Sequence, residues 1–574
     1  MAALLLCAAL LLQLHGVLGF GGSWKAARRG DLFVSFPLTA KGVIGTSPGY
    51  HAVSTFLLNS MNQSVDPCDD FYEYACGNYG INNDYDSGRT SVSTLKKAQQ
   101  DIYKKMIELY KDRTNCGSTA IEKVKIAFRK CIDESEDRVG TLLASIREAG
   151  GWPLLDSCTG MNHNLTSLIM LAKDRALLRF LIEPEVKPDV ETREHMLKIT
   201  FSLMDFPGAR NYKEPKNAAK QVKAHKDYIY EKVSLLKEDL RRRGRTSDAC
   251  LSGPVSRGDI DDMFALEQQL FRARRNPVDM TLTEADALYP EIRFLEIIEH
   301  YGGAKAVNFF KRKPSIFIAT RYIDKVMHLW KTKKRTVVNY IFWRYMKSQY
   351  LDKLQLRGQY AVVPEIIAVM NRNKVVNFPV EEGCSTVLSS FPDMPFYATS
   401  ALYARKYVSK EMINEVKEIS THVRAALEAL LKKSWLTVKA KDRAFQKLSY
   451  MKFNIGYPEW IMNNTALDEY YKELQIENSY SYSNIIDRTM LHSIREGFNL
   501  LGTSIDRAAF QFPAHHVNAA MSLMKNAIEF PAGLLHDPMF GVDYPRAVNF
   551  GTIGATLAHE MTHAFDSEGC RQQH

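Results

Sequence analysis

Apolar residues in the first fifth of the chain recur at helical spacing. Leu95, Ile102, Met106 and Leu109 follow seven-, four- and three-residue steps, with Lys and Asp between them. This period places apolar side chains on one face of an α-helix. Similar spacing predicts further helices near 120–132, 163–183, 217–240, 260–274, 320–355 and 410–434. The pattern therefore predicts a mainly α-helical chain.

Strand-like alternation is sparse. Residues 198–204 and 362–369 are the candidates, and Pro364 weakens the second because proline is tolerated mainly at strand edges. Residues 241–259 join a basic run to Gly, Ser and Pro, which predicts a loop between two helices. We interpret this loop as solvated, with a processing site as the alternative.

The first residues have the pattern of a secretory signal. An apolar run over 2–12 is followed by polar residues and by small residues at 17 and 19, which predicts a signal peptide at 1–19. A signal anchor at the cell surface is the alternative, although about 11 apolar residues are few for a membrane span. The protein is therefore expected to be secreted, with no stable membrane span after cleavage.

Residues 20–64, rich in Gly and Ser, are predicted to be an extended lead-in.

Length, composition and charge indicate a globular protein and disfavour nucleic-acid binding. The chain has 574 residues, 45% of them hydrophobic and 24% charged, which is typical of a globular protein with more than one domain. The net charge of +10 is modest, and basic residues are mostly interleaved with acidic ones, as in 232–243. This pattern favours solvated helix faces over a nucleic-acid-binding surface.

Cysteines and Asn-x-Ser/Thr sites gain meaning in a secreted chain. Eight of the nine cysteines lie outside the predicted signal, and an even number in an oxidising compartment predicts disulfides whose partners the sequence leaves open. Candidate glycosylation sites occur at Asn62, Asn164 and Asn463.

The segment GATLAHEMTHAFD combines a helical pattern with metal-binding side chains. Ile553, Leu557 and Met561 form an apolar stripe, and His559 and His563 are also four residues apart. Two imidazoles one turn apart on one helix face can bind a single Zn²⁺.

Glu560 follows the first of these histidines and lies about 100° further around the helix. Its carboxylate can reach a zinc-bound water without being a ligand, and can act as general base when that water attacks a peptide carbonyl. The alternative is an ordinary surface helix with two histidines.

Four separate blocks carry a family resemblance. They read DPCDDFYEYACGNY at 66–79, KLSYMKFNIGYPEW at 447–460, VNAAMSLMKNAIEFPAGLL at 517–535 and NFGTIGATLAHEMTHAFD at 549–566. In this order and spacing they resemble the neprilysin and endothelin-converting-enzyme family of zinc endopeptidases.

The resemblance implies a two-lobed, mainly helical fold around a central chamber that admits small peptides. Residues 65–445 would form most of the helical N-terminal peptidase domain. Residues 446–574 would begin a thermolysin-like zinc catalytic domain. One Zn²⁺ per chain is the implied cofactor, and the oligomeric state stays open.

Residue by residue, the resemblance implies His559 and His563 as zinc ligands and Glu560 as the catalytic carboxylate. Asn518 and Ala519 match residues that bind the substrate backbone by hydrogen bonds.

The chain also departs from the family pattern next to these residues. Ala520 and Met521 stand where aromatic residues are usual, so we expect a reshaped substrate pocket.

The resemblance also implies disulfide partners for some of the cysteines. Cys131 and Cys384 match a pair that lies within the chain. Cys68 and Cys76 match cysteines whose partners lie in a later region of the family. No assignment follows for Cys116, Cys158, Cys250 and Cys570.

The family's third zinc ligand is a Glu in a Glu-x-x-x-Asp segment on a later helix, which has no counterpart in these 574 residues. We therefore expect little or no peptidase activity from the chain as written. The favoured hypothesis is a secreted zinc endopeptidase whose carboxy-terminal part is absent from the sequence. The alternative is a non-catalytic truncated homologue that binds peptides or partners. Completion of the site by Cys570 and His574 is disfavoured.

Overall fold

The computed structural model describes most of the chain after residue 45. The described residues are 46–82, 93–170, 181–354, 356, 360, 379–390, 395–567 and 569. Within these ranges, residues 115, 190, 202–204, 207–218 and 245–247 are not described. The predicted signal peptide, the first part of the lead-in, the candidate strand at 362–369, Cys570 and His574 lie outside them.

Helices predominate among the described residues. The first group comprises α1 Pro48–Ser60, α2 Phe71–Cys76, α3 Tyr79–Asn82, α4 Thr94–Lys111, α5 Thr119–Ile132, α6 Arg138–Glu148, α7 Leu165–Met170, α8 Ala219–Arg242, α9 Asp248–Leu251, α10 Arg257–Ala273, α11 Leu282–Leu288 and α12 Phe294–Arg312. The second group comprises α13 Thr320–Thr332, α14 Lys334–Tyr345, α15 Val380–Ser390, α16 Phe396–Tyr407, α17 Lys410–Lys433, α18 Val438–Ser449, α19 Asn464–Tyr470, α20 Tyr482–Asn499, α21 Arg546–Asn549 and α22 Ala555–His563. The prediction of a mainly helical fold is confirmed.

Apolar spacing and capping explain where α4 forms. Ser93 accepts a hydrogen bond from the Lys96 N–H at 3.2 Å and starts the helix. Ile102 and Met106 are fully buried, as the helical stripe predicts, although Leu95 is exposed. The other predicted helices near 120–132, 217–240, 260–274 and 410–434 match α5, α8, α10 and α17. The stretch 320–355 divides into α13, α14 and a π-helical turn, Met346–Lys353.

The prediction of an extended lead-in over 20–64 is wrong for its last part, which forms α1. Ser47 caps this helix by accepting from the Tyr50 N–H at 3.2 Å, and Pro48 occupies its first turn. The Gly49 N–H donates to Asp543 Oδ2 at 2.6 Å, so a distant segment fixes the helix start.

Two other predictions need adjustment. The helix expected over 163–183 is present at its start as α7, residues 171–180 lie outside the described residues, and Ile182 begins a strand with prolines inside it. The loop 241–259 does separate α8 from α10, but it contains α9 and is tied by a Cys158–Cys250 disulfide.

Two small sheets are present in the described part of the chain. The first has the order β1-β2-β4-β3, with strands β1 Ile182–Pro188, β2 His195–Phe201, β3 Val278–Thr281 and β4 Ser315–Ile318. The second has the order β5-β7-β6, with strands β5 Lys452–Gly456, β6 Ala520–Ser522 and β7 Ala527–Pro531. The predicted strand at 198–204 overlaps β2.

The second sheet supports the helix that carries the histidine motif. Strand β7 is buried along its whole length, pairs in parallel with β5 and pairs antiparallel with β6. Helix α22 packs against β6, β7 and α17. One continuous apolar core runs from α4 to α22, so the predicted helical and catalytic lobes meet along buried side chains. The predicted boundary at 445/446 falls inside α18.

A buried polar cluster lies in the helical part. Asp205 Oδ2 accepts from Trp343 Nε1 at 2.6 Å and lies 3.1 Å from His225 Nε2, and Lys347 Nζ lies 3.0 Å from Asp205 Oδ1. Burial alone would raise the pKa of this carboxyl. The positive charges of Lys347, His225 and Arg344 outweigh burial and hold the pKa of Asp205 well below its usual range.

Candidate metal centre and adjoining strand

Helix α22 positions the histidine pair by burying its opposite face. Ile553, Leu557 and Met561 are fully buried, and the first of them lies in the π-helical turn Phe550–Gly554 that leads into the helix. Because the apolar stripe fixes the rotation of the helix, His559 and His563 emerge together on its exposed side.

The two histidines converge on one point. His559 Nε2 and His563 Nε2 lie 3.1 Å apart. Nitrogens bound to one tetrahedral zinc at about 2.0–2.1 Å would be separated by about 3.3 Å, so the pair fits a shared metal. Glu560 is buried, and one of its carboxylate oxygens lies within 4.8 Å of a ring nitrogen of each histidine. Among the described residues, no other His, Cys, Asp or Glu has a ligand atom within 4.8 Å of all three of these side-chain atoms.

Asp566 orients one of the histidines, and sequence reasoning missed it. Its Oδ2 lies 3.0 Å from His563 Nδ1, which can donate to it. Donation from Nδ1 leaves the Nε2 lone pair of a neutral imidazole free to bind a metal. The other carboxylate oxygen accepts from the Gly569 N–H at 2.8 Å, and Lys447 Nζ donates to the Gly569 carbonyl at 2.7 Å. The three-residue step from His563 to Asp566 was the available signal.

Asn518 and Ala519 lie immediately before the edge strand β6. Asn518 is exposed and Ala519 is buried, and the strand begins at the next residue. One side of β6 pairs with β7 through Ala520↔Glu529 and Met521↔Ile528. Its other side has no strand neighbour in the described part of the chain. Because α22 packs on the same two strands, the histidine pair and this edge belong to one region.

The cysteines divide into bridged and free groups. Cys131 and Cys384 form the disulfide that the resemblance implied. Cys158 and Cys250 form a second bridge that the sequence had not assigned. Among the described residues, the free thiols are Cys68, Cys76 and Cys116.

The three candidate glycosylation sites differ in exposure. Asn164 and Asn463 are exposed and cap helices, the first accepting from the Ser167 N–H at 2.9 Å and the second from the Ala466 N–H at 3.2 Å. Asn62 is partly buried, and its Nδ2 donates to a glutamate at 3.2 Å. All three stay predictions.

Family comparison gives the class of protein. Two models described as peptidase family M13 match the chain, the N-terminal one over residues 67–458 and the other over 518–574. The chain therefore belongs to peptidase family M13, and by family it is a zinc metalloendopeptidase. The resemblance drawn from the four sequence blocks is confirmed.

Individual relatives agree with this assignment. The chain is 28% identical to Neprilysin-1 of Caenorhabditis elegans, over 92% of this chain and 71% of that protein. It is 25% identical to Membrane metallo-endopeptidase-like 1 of Mus musculus, over 92% of this chain and 70% of the relative. It is also 25% identical to Endothelin-converting enzyme 1 of Cavia porcellus, over 90% of this chain and 68% of the relative. The chain thus spans about two thirds to three quarters of these proteins.

Solved structures show the same fold. A zinc metalloprotease of Mycobacterium tuberculosis in complex with an inhibitor matches with a TM-score of 0.69 at 17% identity, over 90% of this chain and 75% of that chain. PepO from Lactobacillus rhamnosis matches with a TM-score of 0.67 at 17% identity, over 88% of this chain and 77% of that chain. In the described part of our chain, every helix is too short or too polar to cross a membrane.

Proposed function

We propose that the chain carries the metal-binding helix and part of the peptide-binding surface of a secreted zinc endopeptidase that hydrolyses small peptides. The observation that carries this proposal is the 3.1 Å approach of His559 Nε2 and His563 Nε2 beside a free strand edge. The two internal disulfides support an oxidising, extracellular location. A signal-anchored form at the cell surface is the alternative location. The interleaved charges favour peptides over nucleic acid as partners.

The metal role falls to His559 and His563. When bound, zinc polarises a peptide carbonyl and makes water more acidic. The chain's own residues prepare for this: Asp566 accepts from His563 Nδ1, which keeps the Nε2 lone pair directed outward.

The proton-transfer role falls to Glu560. Glu560 is buried, and its carboxylate lies beside both histidines. From there it accepts the proton of an attacking water and passes it to the leaving amine.

Asn518, Ala519 and the edge of β6 form the proposed peptide-binding surface. An extended peptide can add to a free strand edge through backbone hydrogen bonds. The exposed Asn518 amide can both donate to and accept from such a peptide. Ala520 and Met521 offer less bulk than aromatic residues, so we propose a wider pocket beside the strand.

Catalytic zinc sites use three protein ligands, and the described residues supply two histidine nitrogens. We therefore propose that residues 1–574 expressed alone bind zinc weakly and cleave peptides slowly or not at all.

Zinc binding tests the proposal directly. Equilibrium dialysis of the expressed chain should give one zinc per chain at saturating metal, and His559→Ala and His563→Ala should abolish it. His422→Ala, which removes an exposed histidine from α17, is the matched control. Zinc binding that survives both α22 substitutions would refute the metal centre.

A second experiment separates the metal role from the proton-transfer role. Glu560→Gln should retain zinc and abolish any metal-dependent cleavage of short peptides. Loss of zinc in this variant would instead make Glu560 a ligand.

A further inference from the structure

The backbone just before Asn518 is held by side chains from distant helices. Residues 514–517 belong to no helix or strand, yet they are buried or half-buried. The Ala514 N–H donates to Ser400 Oγ at 2.8 Å, and the Ala514 carbonyl accepts from the Gly533 N–H at 2.7 Å. This segment therefore depends on contacts outside its own sheet.

Gln99 on α4 makes the most specific of these contacts. Its Nε2 donates to the His515 carbonyl at 3.2 Å, and its Oε1 accepts from the Val517 N–H at 2.8 Å. One amide thus pairs with a carbonyl and an N–H two residues apart, as one residue of a parallel strand does. We call this pair of hydrogen bonds the Gln99 clamp. It holds 515–517 as a neighbouring strand would.

The ring of His515 fixes the same segment from another side. His515 is fully buried, and its Nε2 lies 3.0 Å from the Ser389 carbonyl of α15, to which it donates. Gly533 approaches the backbone so closely that a Cβ there would lie 2.5 Å from the His516 carbonyl oxygen. The segment between these contacts has little freedom to shift.

We propose that Gln99 is a positioning residue for peptide binding. The Gln99 clamp fixes the backbone at 515–517, where the chain leaves a turn, so that Asn518, Ala519 and the free edge of β6 are presented in the register an incoming peptide needs. Helix α4 lies in the segment matched by the N-terminal family model, whereas Asn518 begins the segment matched by the second model. The helical part thereby sets the geometry of the peptide-binding strand. This inference rests on the proposed function.

Gln99→Ala removes both hydrogen bonds, and Gln99→Glu keeps the acceptor for Val517 but loses the donor to His515. Gln100→Ala is the matched control, because Gln100 is equally half-buried on the same helix and makes no side-chain hydrogen bond that the structure describes. The probe is a fluorescein-labelled hexapeptide of alternating alanine and leucine, with affinity measured by fluorescence anisotropy on the full chain. Hydrogen exchange at the Val517 amide reports the clamp itself.

Loss of two hydrogen bonds should weaken hexapeptide binding by about tenfold in Gln99→Ala. Gln99→Glu, which would place a carboxylate oxygen against the His515 carbonyl oxygen, should weaken binding at least as much as Gln99→Ala. Gln100→Ala should bind as the wild type does. Exchange at Val517 should be faster in Gln99→Ala, with an unfolding midpoint close to that of the control. If Gln99→Ala does not fold, the hexapeptide affinity of Gln99→Glu tests the positioning role instead.

Two negative results have different meanings. A wild-type chain that binds the hexapeptide, with Gln99 variants that bind it equally well, would overturn the positioning role alone. A wild-type chain that does not bind it would overturn the proposed peptide-binding surface, and the positioning role with it.

Discussion

The polar cluster around Asp205 and the histidine pair of α22 place titratable groups in opposite environments. Asp205 is buried, and positive or donor groups face its oxygens. His559 and His563 are exposed, and their Nε2 atoms lie 3.1 Å apart. Two imidazole nitrogens at that distance suit a shared metal cation.

The contrast distinguishes residues that stabilise the fold from residues that can bind a ligand. Removing one member of a buried cluster of opposite charges is costly, because the partner charges are left buried without compensation. Two nitrogens directed at one accessible point contribute little to folding but keep their binding capacity. The following predictions test this division.

The largest effect is expected at the buried cluster. Asp205→Ala leaves Lys347 and His225 without their counter-charge, and should lower the free energy of unfolding by about 3–5 kcal/mol. Urea unfolding measures it. Asp261→Ala, which breaks an ion pair whose carboxylate is 63% exposed, should cost no more than about 1 kcal/mol. Equal losses in the two variants would contradict the division.

A pH prediction concerns His515, a buried group beside the candidate site. Burial lowers its pKa from 6.5 to about 4, despite the hydrogen bond to Ser389. The unfolded chain therefore binds the proton first, so stability is complete above pH 6.5 and falls as the pH drops towards 4, by roughly 3 kcal/mol in all.

Urea unfolding across this pH range measures the effect of His515. His515→Gln should flatten the dependence on pH, and His328→Gln, at an exposed position, should leave it unchanged. The same slope in the His515 variant would assign the dependence to other groups.

The next prediction tests the backbone contacts that support the peptide-binding segment. In Gly533→Ala the new Cβ would lie 2.5 Å from the His516 carbonyl oxygen, so the variant should lose about 1–3 kcal/mol of stability. Gly551→Ala, where a Cβ would meet nothing within 4 Å, is the control and should be neutral or slightly stabilising. Thermal unfolding of both variants gives the comparison.

The smallest effect on stability is expected at Asp566. Asp566→Ala removes the carboxylate that orients His563, and should weaken zinc binding by at least about tenfold with little change in unfolding. Competition with a chromophoric chelator measures the affinity. Asp442→Ala, an exposed acidic residue on α18, should change neither quantity. A large loss of stability in the Asp566 variant would mean that the pair is structural.

The sequence predicted what depends on local spacing. The apolar stripe of α22 and the four-residue step of its histidines follow from helix geometry, and both appear in the structure. The Gln99 clamp could not be predicted, because it joins residues more than 400 positions apart through one amide. Helix α1 was missed although Ser47 and Pro48 are a local start signal, and the contact that fixes its start comes from Asp543, 494 residues further along the chain.

Family resemblance predicted features that local spacing could not. It implied the Cys131–Cys384 bridge, which spacing alone cannot define because eight cysteines allow many pairings. It did not predict the Cys158–Cys250 bridge or the orienting role of Asp566, which only the structure revealed.

The parallel pairing of β5 with β7 has a practical consequence for anyone cutting this protein into pieces. Strand β5 lies in the region of the first family model, whereas β7 lies in the region of the second. A fragment that starts at residue 518 would carry the zinc helix but would leave one side of β7 without its neighbour. An open apolar strand edge invites aggregation. Soluble expression of the catalytic portion should therefore begin upstream of Lys452.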